Sequence, residues 1–259
     1  MRIAIPGDGS ALNSLYRNGD VSGFPKEGSA VLRKVVSGEL VDSLVHLFIL
    51  FGFVLLLIAG SPVMAATYSV CPSGCNFTSI QAAINAASDG DTIEIRGGHY
   101  IEPLIVDRRL VLKGVASGGG YPVIDAGGAE FGITLKAPGI QISSLNITGA
   151  NSSAILIESD NNTLHDLIIV HPKVTTYYLT YPAVTGEDLT GLEISACKFY
   201  VRGDTVVLHD PHDYSITGNT FLNPLGYSVA IVSSGSANPT ENGVISGNTI
   251  TQSRGAGIG

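Results

Sequence analysis

Ile216-Thr-Gly-Asn219-Thr-Phe221 and, one repeat later, Ile245-Ser-Gly-Asn248-Thr-Ile250 decide the fold of this chain. The same spacing of apolar residues occurs upstream as Ile142-Ser-Ser-Leu145-Asn146-Ile147, Leu164-His-Asp-Leu167-Ile-Ile169 and Ile194-Ser-Ala-Cys197-Lys-Phe199. Successive units begin 22, 30, 22 and 29 residues apart, a period that marks repeat architecture. A unit this short cannot bury its own apolar side chains, so it must stack on its neighbours. The expectation is an all-β solenoid in which Ile142, Leu164, Ile194, Ile216 and Ile245 pile into one interior column. Strict hexapeptides, the mark of a left-handed β-helix, are absent from the sequence. Right-handed coiling follows the rule for parallel crossovers.

A second strand family interleaves with these units: Ile133-Thr-Leu135, Ile155-Leu-Ile157, Ala183-Val184, Val206-Val-Leu208, Val229-Ala-Ile231 and, at the end, Ile258. Two families at one period read as two faces of one coil. The longer rungs carry insertions, Pro172 to Pro182 and Ser233 to Asn242, which should bulge from one side. Asn219 and Asn248 hold equivalent turn positions, where stacked asparagines can hydrogen-bond as a ladder. Earlier strand signals are Thr92-Ile-Glu-Ile95, Leu104-Ile-Val106, Leu110-Val-Leu112 and Val123-Ile124. Before them, Ile80, Ala83, Ile84 and Ala87 follow helical spacing; Thr78 with Gln81 suggests a capping box, and Gly90 a stop. A short helix here would cover the open first rung, which a solenoid must protect. The last residues, Arg254-Gly-Ala-Gly-Ile-Gly259, run midway into a further strand, so a fragment or a partner-covered end is expected.

Composition agrees with short strands and tight turns. Among 259 residues, 44% are apolar, 14% are charged, 32 are Gly and none is Trp. Net charge is −8; five acidic and five basic residues before Ala66 cancel, so the whole imbalance falls on residues 66–259. No Lys/Arg stripe is present there, which argues against a nucleic-acid partner. Residues 44–60 form one long apolar run, preceded by Arg33 and Lys34 and followed by Val63 and Ala65, which fit a signal-peptidase site. Residues 44–65 therefore read as a cleaved export signal or a retained signal anchor. In the second case residues 44–60 would be the membrane contact. Residues 1–43 are an unpatterned extension, long for a signal n-region and suggestive of a downstream start near Val31 or Val36. Residues 66–259 are the solenoid domain, secreted or displayed at the cell surface.

The three cysteines fit export. Cys71 and Cys75 could close a small disulfide loop, sensible in an oxidising compartment, and a zinc site lacks a second ligand pair. Cys197 holds an apolar slot of a repeat and reads as a buried free thiol. Sequons begin at Asn76, Asn146, Asn151 and Asn161, each a candidate glycan acceptor in an exported protein.

Ser79-Ile-Gln-Ala-Ala-Ile84 through Gly90-Asp-Thr-Ile93, then Gly98-His-Tyr100 and Val123-Ile-Asp125, resembles the opening of the pectin-lyase-like right-handed parallel β-helix superfamily. The later Ile-x-Gly-Asn-Thr-Ile/Phe units resemble its generic repeats, including those of NosD-like surface proteins. The resemblance covers residues 68–259 and implies a fold rather than an activity, because the superfamily holds lyases, hydrolases, epimerases, adhesins and inert spacers.

One polar cluster stands out. Asp210-Pro211-His212-Asp213, after His209, resembles the Asp-Pro-His motif of mannuronan C5-epimerases. That resemblance implies His212 as the base at C5 of a uronate, with Asp210 beside the substrate carboxylate; Asp213 is a further catalytic candidate, and His209, Lys198 and Arg202 are candidate substrate contacts. The family's upstream Tyr falls on Val207 and its Arg near Ser234. The plain alternative is a solvated turn. His165 and His171 flank one strand, without a third metal ligand. Asp89, Asp91 and Asp160 suit a structural calcium site only without a recognisable motif, and Asp-Gly turns explain them. Tyr177, Tyr178 and Tyr181 could stack on sugar. No cofactor and no metal is expected. Three functions compete: an exported β-helix that contacts carbohydrate or a cell-surface polymer, a uronan C5-epimerase or lyase, and a structural stalk or adhesin repeat.

Overall fold

The computed structural model describes residues 64–118, 120–171, 182–222, 224–233, 242–251 and 257–259. The extension 1–43, residues 44–63 of the signal region, Tyr177, Tyr178, Tyr181 and the bodies of both insertions lie outside the described residues.

Among the described residues three all-parallel sheets run the length of the solenoid, and the chain visits them in turn on every rung. Sheet A has eight strands, from Thr67–Val70 through Gln141–Ser143, Thr163–His165, Glu193–Ser195 and Ser215–Thr217 to Val244–Ser246. Sheet B has seven, among them Asn146–Thr148, Ile168–His171, Lys198–Val201, Thr220–Leu222 and Thr249–Thr251. Sheet C has six: Leu104–Val106, Phe131–Leu135, Ser153–Ile157, Val184–Glu187, Val206–His209 and Val229–Val232. The architecture is a right-handed parallel β-helix, with the parallel crossovers setting the hand.

The expected interior column is present in full register: Ile142 pairs with Leu164, Leu164 with Ile194, Ile194 with Ile216, and Ile216 with Ile245. The expectation of two faces is corrected to three. Each six-residue unit is two strands, one in sheet A and one in sheet B, folded over a corner. The corner residues Ser144, Asp166, Ala196, Gly218 and Gly247 all have positive φ, between 50° and 65°, which turns the chain within a single residue. The sequence contains only two glycines at these five places, so the bend was hidden.

The next residue along points inward as Leu145, Leu167, Cys197, Asn219 and Asn248. Here the asparagine ladder forms. Asn219 Oδ1 accepts from the Cys197 N–H (2.8 Å) and its Nδ2 donates to Ile194 O (3.0 Å) and to Asn248 Oδ1 (3.1 Å). Asn248 Oδ1 also accepts from the Asn219 N–H (2.8 Å). Beside the ladder, Phe199 and Phe221 stack fully buried, with ring centroids 4.9 Å apart and planes 5° from parallel.

A helix, α1 (Ile80–Ala86), covers the first rungs and buries Ile80, Ala83 and Ile84. Its N-cap is Ser79, not Thr78, and the carboxylate expected from a local capping box comes instead from a later rung. Glu102 accepts from the N–H groups of Ile80 (2.8 Å) and Gln81 (3.1 Å) and from Ser79 Oγ. Gln81 is thereby free to bond Asn85 and Ile105. The helix ends before Gly90, whose positive φ belongs to the following turn. Cys71 and Cys75 form a disulfide with Cα atoms 5.5 Å apart.

Candidate functional site

Alternation along a parallel strand sends every second side chain outward, and register stacks those side chains into columns one strand spacing apart. On sheet C one outward column reads Ile105, Thr134, Leu156, Thr185, Val207 and Ala230. The neighbouring column, at the strand ends, holds Lys136, Glu158, Glu187, His209 and Val232. Short and long side chains thus alternate laterally, and between them opens a groove of about 590 Å³ lined by Leu156, Ile157, Glu158, Thr185, Gly186, Glu187 and His209. Leu156 and Thr185 form its floor, one aliphatic side chain beside one hydroxyl-bearing one. Glu158 and Glu187 stand on adjacent rungs, and His209 stands one rung further on, in register with Glu187. Lys136 Nζ lies 3.6 Å from Glu158 Oε2 at the edge. Among the described residues no Lys or Arg lines the groove itself.

Among the described candidate site residues, His209 alone enters this groove. Asp210 is buried at the corner after the strand, with φ of 47°, and its N–H donates to Val232 O. His212 lies in the backbone ladder: its N–H donates to Leu189 O (2.7 Å) and its carbonyl accepts from Gly191 (3.0 Å). Its Nε2 is buried without a hydrogen bond, 3.9 Å from Asp188 Oδ1. Asp213, exposed with φ of 48°, accepts from Asn242 Nδ2 (3.0 Å). Lys198 lies on sheet B, and Arg202 follows that strand; both are exposed. The motif is spread along a corner rather than gathered in a groove.

The other candidates hold the fold together. Asp91 is buried and accepts from the Ala66 and Ser88 N–H groups, Asp89 from Arg109 N–H, and Asp160 from Thr190 N–H. Among the described residues, no three His, Cys, Asp or Glu side chains gather into a metal site. His165 and His171 are on different sheets: His165 faces outward with Nδ1 3.0 Å from Ser195 Oγ, and His171 is buried. Burial pushes the Cys197 thiol up to about 12, which keeps it protonated and unreactive near neutral pH. Of the sequons, Asn76 and Asn161 are exposed, Asn146 is half-buried in sheet B, and Asn151 donates to Gly128 O.

Glu158 and Glu187 escaped sequence reading. The signal was present, since each directly follows the last inward residue of a second-family strand, as in Ile155-Leu-Ile-Glu158 and Val184-Thr-Gly-Glu187. Aligning the residue after each strand, not only the strand, would have found the column.

No protein-family model matches this chain, and no curated protein sequence does. Solved structures with similar backbones include pectin methylesterase from carrot, 10% identical, covering 74% of this chain and 85% of that one, with a TM-score of 0.42. The enzyme from Aspergillus niger is 14% identical over 75% of this chain and 77% of its own, TM-score 0.41. A pectin methylesterase in complex with a hexasaccharide is 18% identical over 69% and 68%, TM-score 0.37. The fold assignment rests on the three parallel sheets and their register.

Proposed function

We propose that this is an exported or cell-surface β-helix protein that binds a carbohydrate polymer along the outer groove of sheet C. The observation that carries the reading is the groove's periodicity: Leu156 and Thr185, and Glu158, Glu187 and His209, recur at one strand spacing, about 4.8 Å. A regular column of contacts suits a ligand that is itself a regular chain. A floor that pairs an aliphatic side chain with a threonine hydroxyl, beside polar groups, suits a sugar, which offers both an apolar face and hydroxyls. The Cys71–Cys75 disulfide supports passage through an oxidising compartment. An epimerase or lyase would need His212, Asp210 and a cation in one groove with the sugar, and the described residues do not bring these together.

The test is titration of residues 66–259 with neutral, amino and uronate oligosaccharides, followed by calorimetry and by NMR line shifts. Thr185→Phe, which fills the floor, should abolish binding, whereas His165→Ala on sheet A should leave it unchanged. If no oligosaccharide binds, or if Thr185→Phe binds as well as wild type, the groove is not the site. Export is tested separately by N-terminal sequencing of the product secreted from its full-length precursor. A mature end near Ala66 is expected, and an intact N-terminus on a soluble intracellular product would refute export.

A further inference from the structure

We infer that the glycan this groove accepts carries ammonium groups, that is, an amino-sugar polymer, and that Glu187 is the residue that selects it. The inference rests on the carbohydrate reading above and deepens it. Three observations converge. The groove places two carboxylates, Glu158 and Glu187, on consecutive rungs beside a floor of Leu156 and Thr185. They are not equivalent. Glu158 has a protein cation, Lys136, at 3.6 Å, whereas Glu187 has no ion pair among the described residues and sits between Glu158 and His209 in the column. Among the described residues no arginine or lysine lines the groove, and the whole −8 of the chain falls on residues 66–259.

A ligand that lies on Leu156 and Thr185 sheds water from the carboxylates beside them. A neutral sugar would leave Glu187 partly desolvated and unpaired, and a uronate would set a second negative charge against it. An ammonium group in its place supplies the missing counter-charge and donates to the carboxylate. Adjacent rungs bring Glu158 to the next position along the same polymer, so the two carboxylates read charge along the solenoid axis. His209 closes the row on the third rung and adds a polar contact beyond the charged pair.

The experiment compares chitosan oligomers with their fully N-acetylated counterparts and with oligogalacturonate, on the same preparation of residues 66–259. The deacetylated oligomer should bind most tightly, more weakly as salt is raised, and oligogalacturonate least. Glu187→Gln should weaken the deacetylated oligomer by roughly fivefold and Glu158→Gln with Glu187→Gln by roughly tenfold or more. Both changes should improve oligogalacturonate. The exposed Glu→Gln changes keep shape, and an unaltered melting temperature and near-ultraviolet circular dichroism confirm folding. If the N-acetylated oligomer binds as tightly as the deacetylated one and the Gln variants alter neither, the charge inference is overturned while carbohydrate binding stands. If oligogalacturonate binds best, it is overturned in the opposite sense. If none of the three binds, the carbohydrate reading falls with it.

Discussion

Asn219→Ala tests whether the turn ladder, rather than apolar stacking alone, holds the middle rungs in register. Asn219 is 1% exposed, so no water waits to replace its side chain. Its removal strands two buried backbone groups, the Cys197 N–H and the Ile194 carbonyl. An orphaned buried polar group costs about 1–3 kcal/mol, so the pair together sets the expected loss near 3 kcal/mol. For a coil of this size each kcal/mol moves the melting temperature by about 2–4 °C, giving a fall of roughly 6–12 °C. Asn248→Ala makes the internal control. Asn248 bonds Asn219 and Ile216 O in the same manner, but it is half-buried and water can take its place, so about 1 kcal/mol is expected. Asn219→Leu separates bonding from volume, because Leu167 and Leu145 occupy the same place two and three rungs earlier. It should still cost about 2 kcal/mol, since the stranded groups remain. Urea denaturation, read as a shift in midpoint at constant slope, measures all three. A loss below about 1 kcal/mol for Asn219→Ala, or a neutral Asn219→Leu, would refute the ladder as a source of register.

Two further outcomes follow from the interior. Truncating Phe199 or Phe221 to Ala should each cost about 3–5 kcal/mol, and a double-mutant cycle should show coupling of about 0.5–1.5 kcal/mol from the stacked rings; additive losses would mean that the two rings are independent. The Cys197 thiol, raised to about 12 by burial from an ordinary 9.0, predicts a pH window. Below pH 9 the thiol is protonated folded and unfolded, so stability does not change. Above pH 9 the unfolded chain releases the proton and the native state keeps it, so stability falls by about 1.4 kcal/mol per pH unit until pH 12. Midpoints measured from pH 8 to 10.5 should fall more steeply for the wild type than for Cys197→Ala, and parallel slopes would contradict the assignment.

The interior was legible because burial imposes a strict rule on sequence. Each place in the column from Ile142 to Ile245 must be apolar, and five matches in one grammar left little freedom. The corner was not legible, because positive φ at Ser144, Asp166 and Ala196 is tolerated without glycine when the next residue is anchored inside. The reading of two faces failed there. The cap of α1 was half legible: Ser79 lies next to the expected Thr78, but its carboxylate partner, Glu102, arrives from 23 residues away, and no local pattern announces it. The groove was the least legible part. Outward positions are not constrained by the core, so Glu158 and Glu187 carry no period that repeats in every rung.

The contrast between Glu187 and His212 shows why a motif in a solenoid must be read by register before composition. His212 belongs to a run of polar residues that looks chemical when written in a line, yet consecutive residues at a corner point in successive directions. The chain there uses Asp210 and Asp213 at positive φ to turn, which scatters the imidazole and the carboxylates. Glu158 and Glu187 are 29 residues apart in sequence and look unrelated, yet parallel pairing of Ile157 with Gly186 brings their backbones to neighbouring strands. Chemistry that needs two groups together is therefore written across the repeat period. A substitution at 158 should alter what 187 can bind, whereas one at 212 should be felt first in the turn that it helps to close.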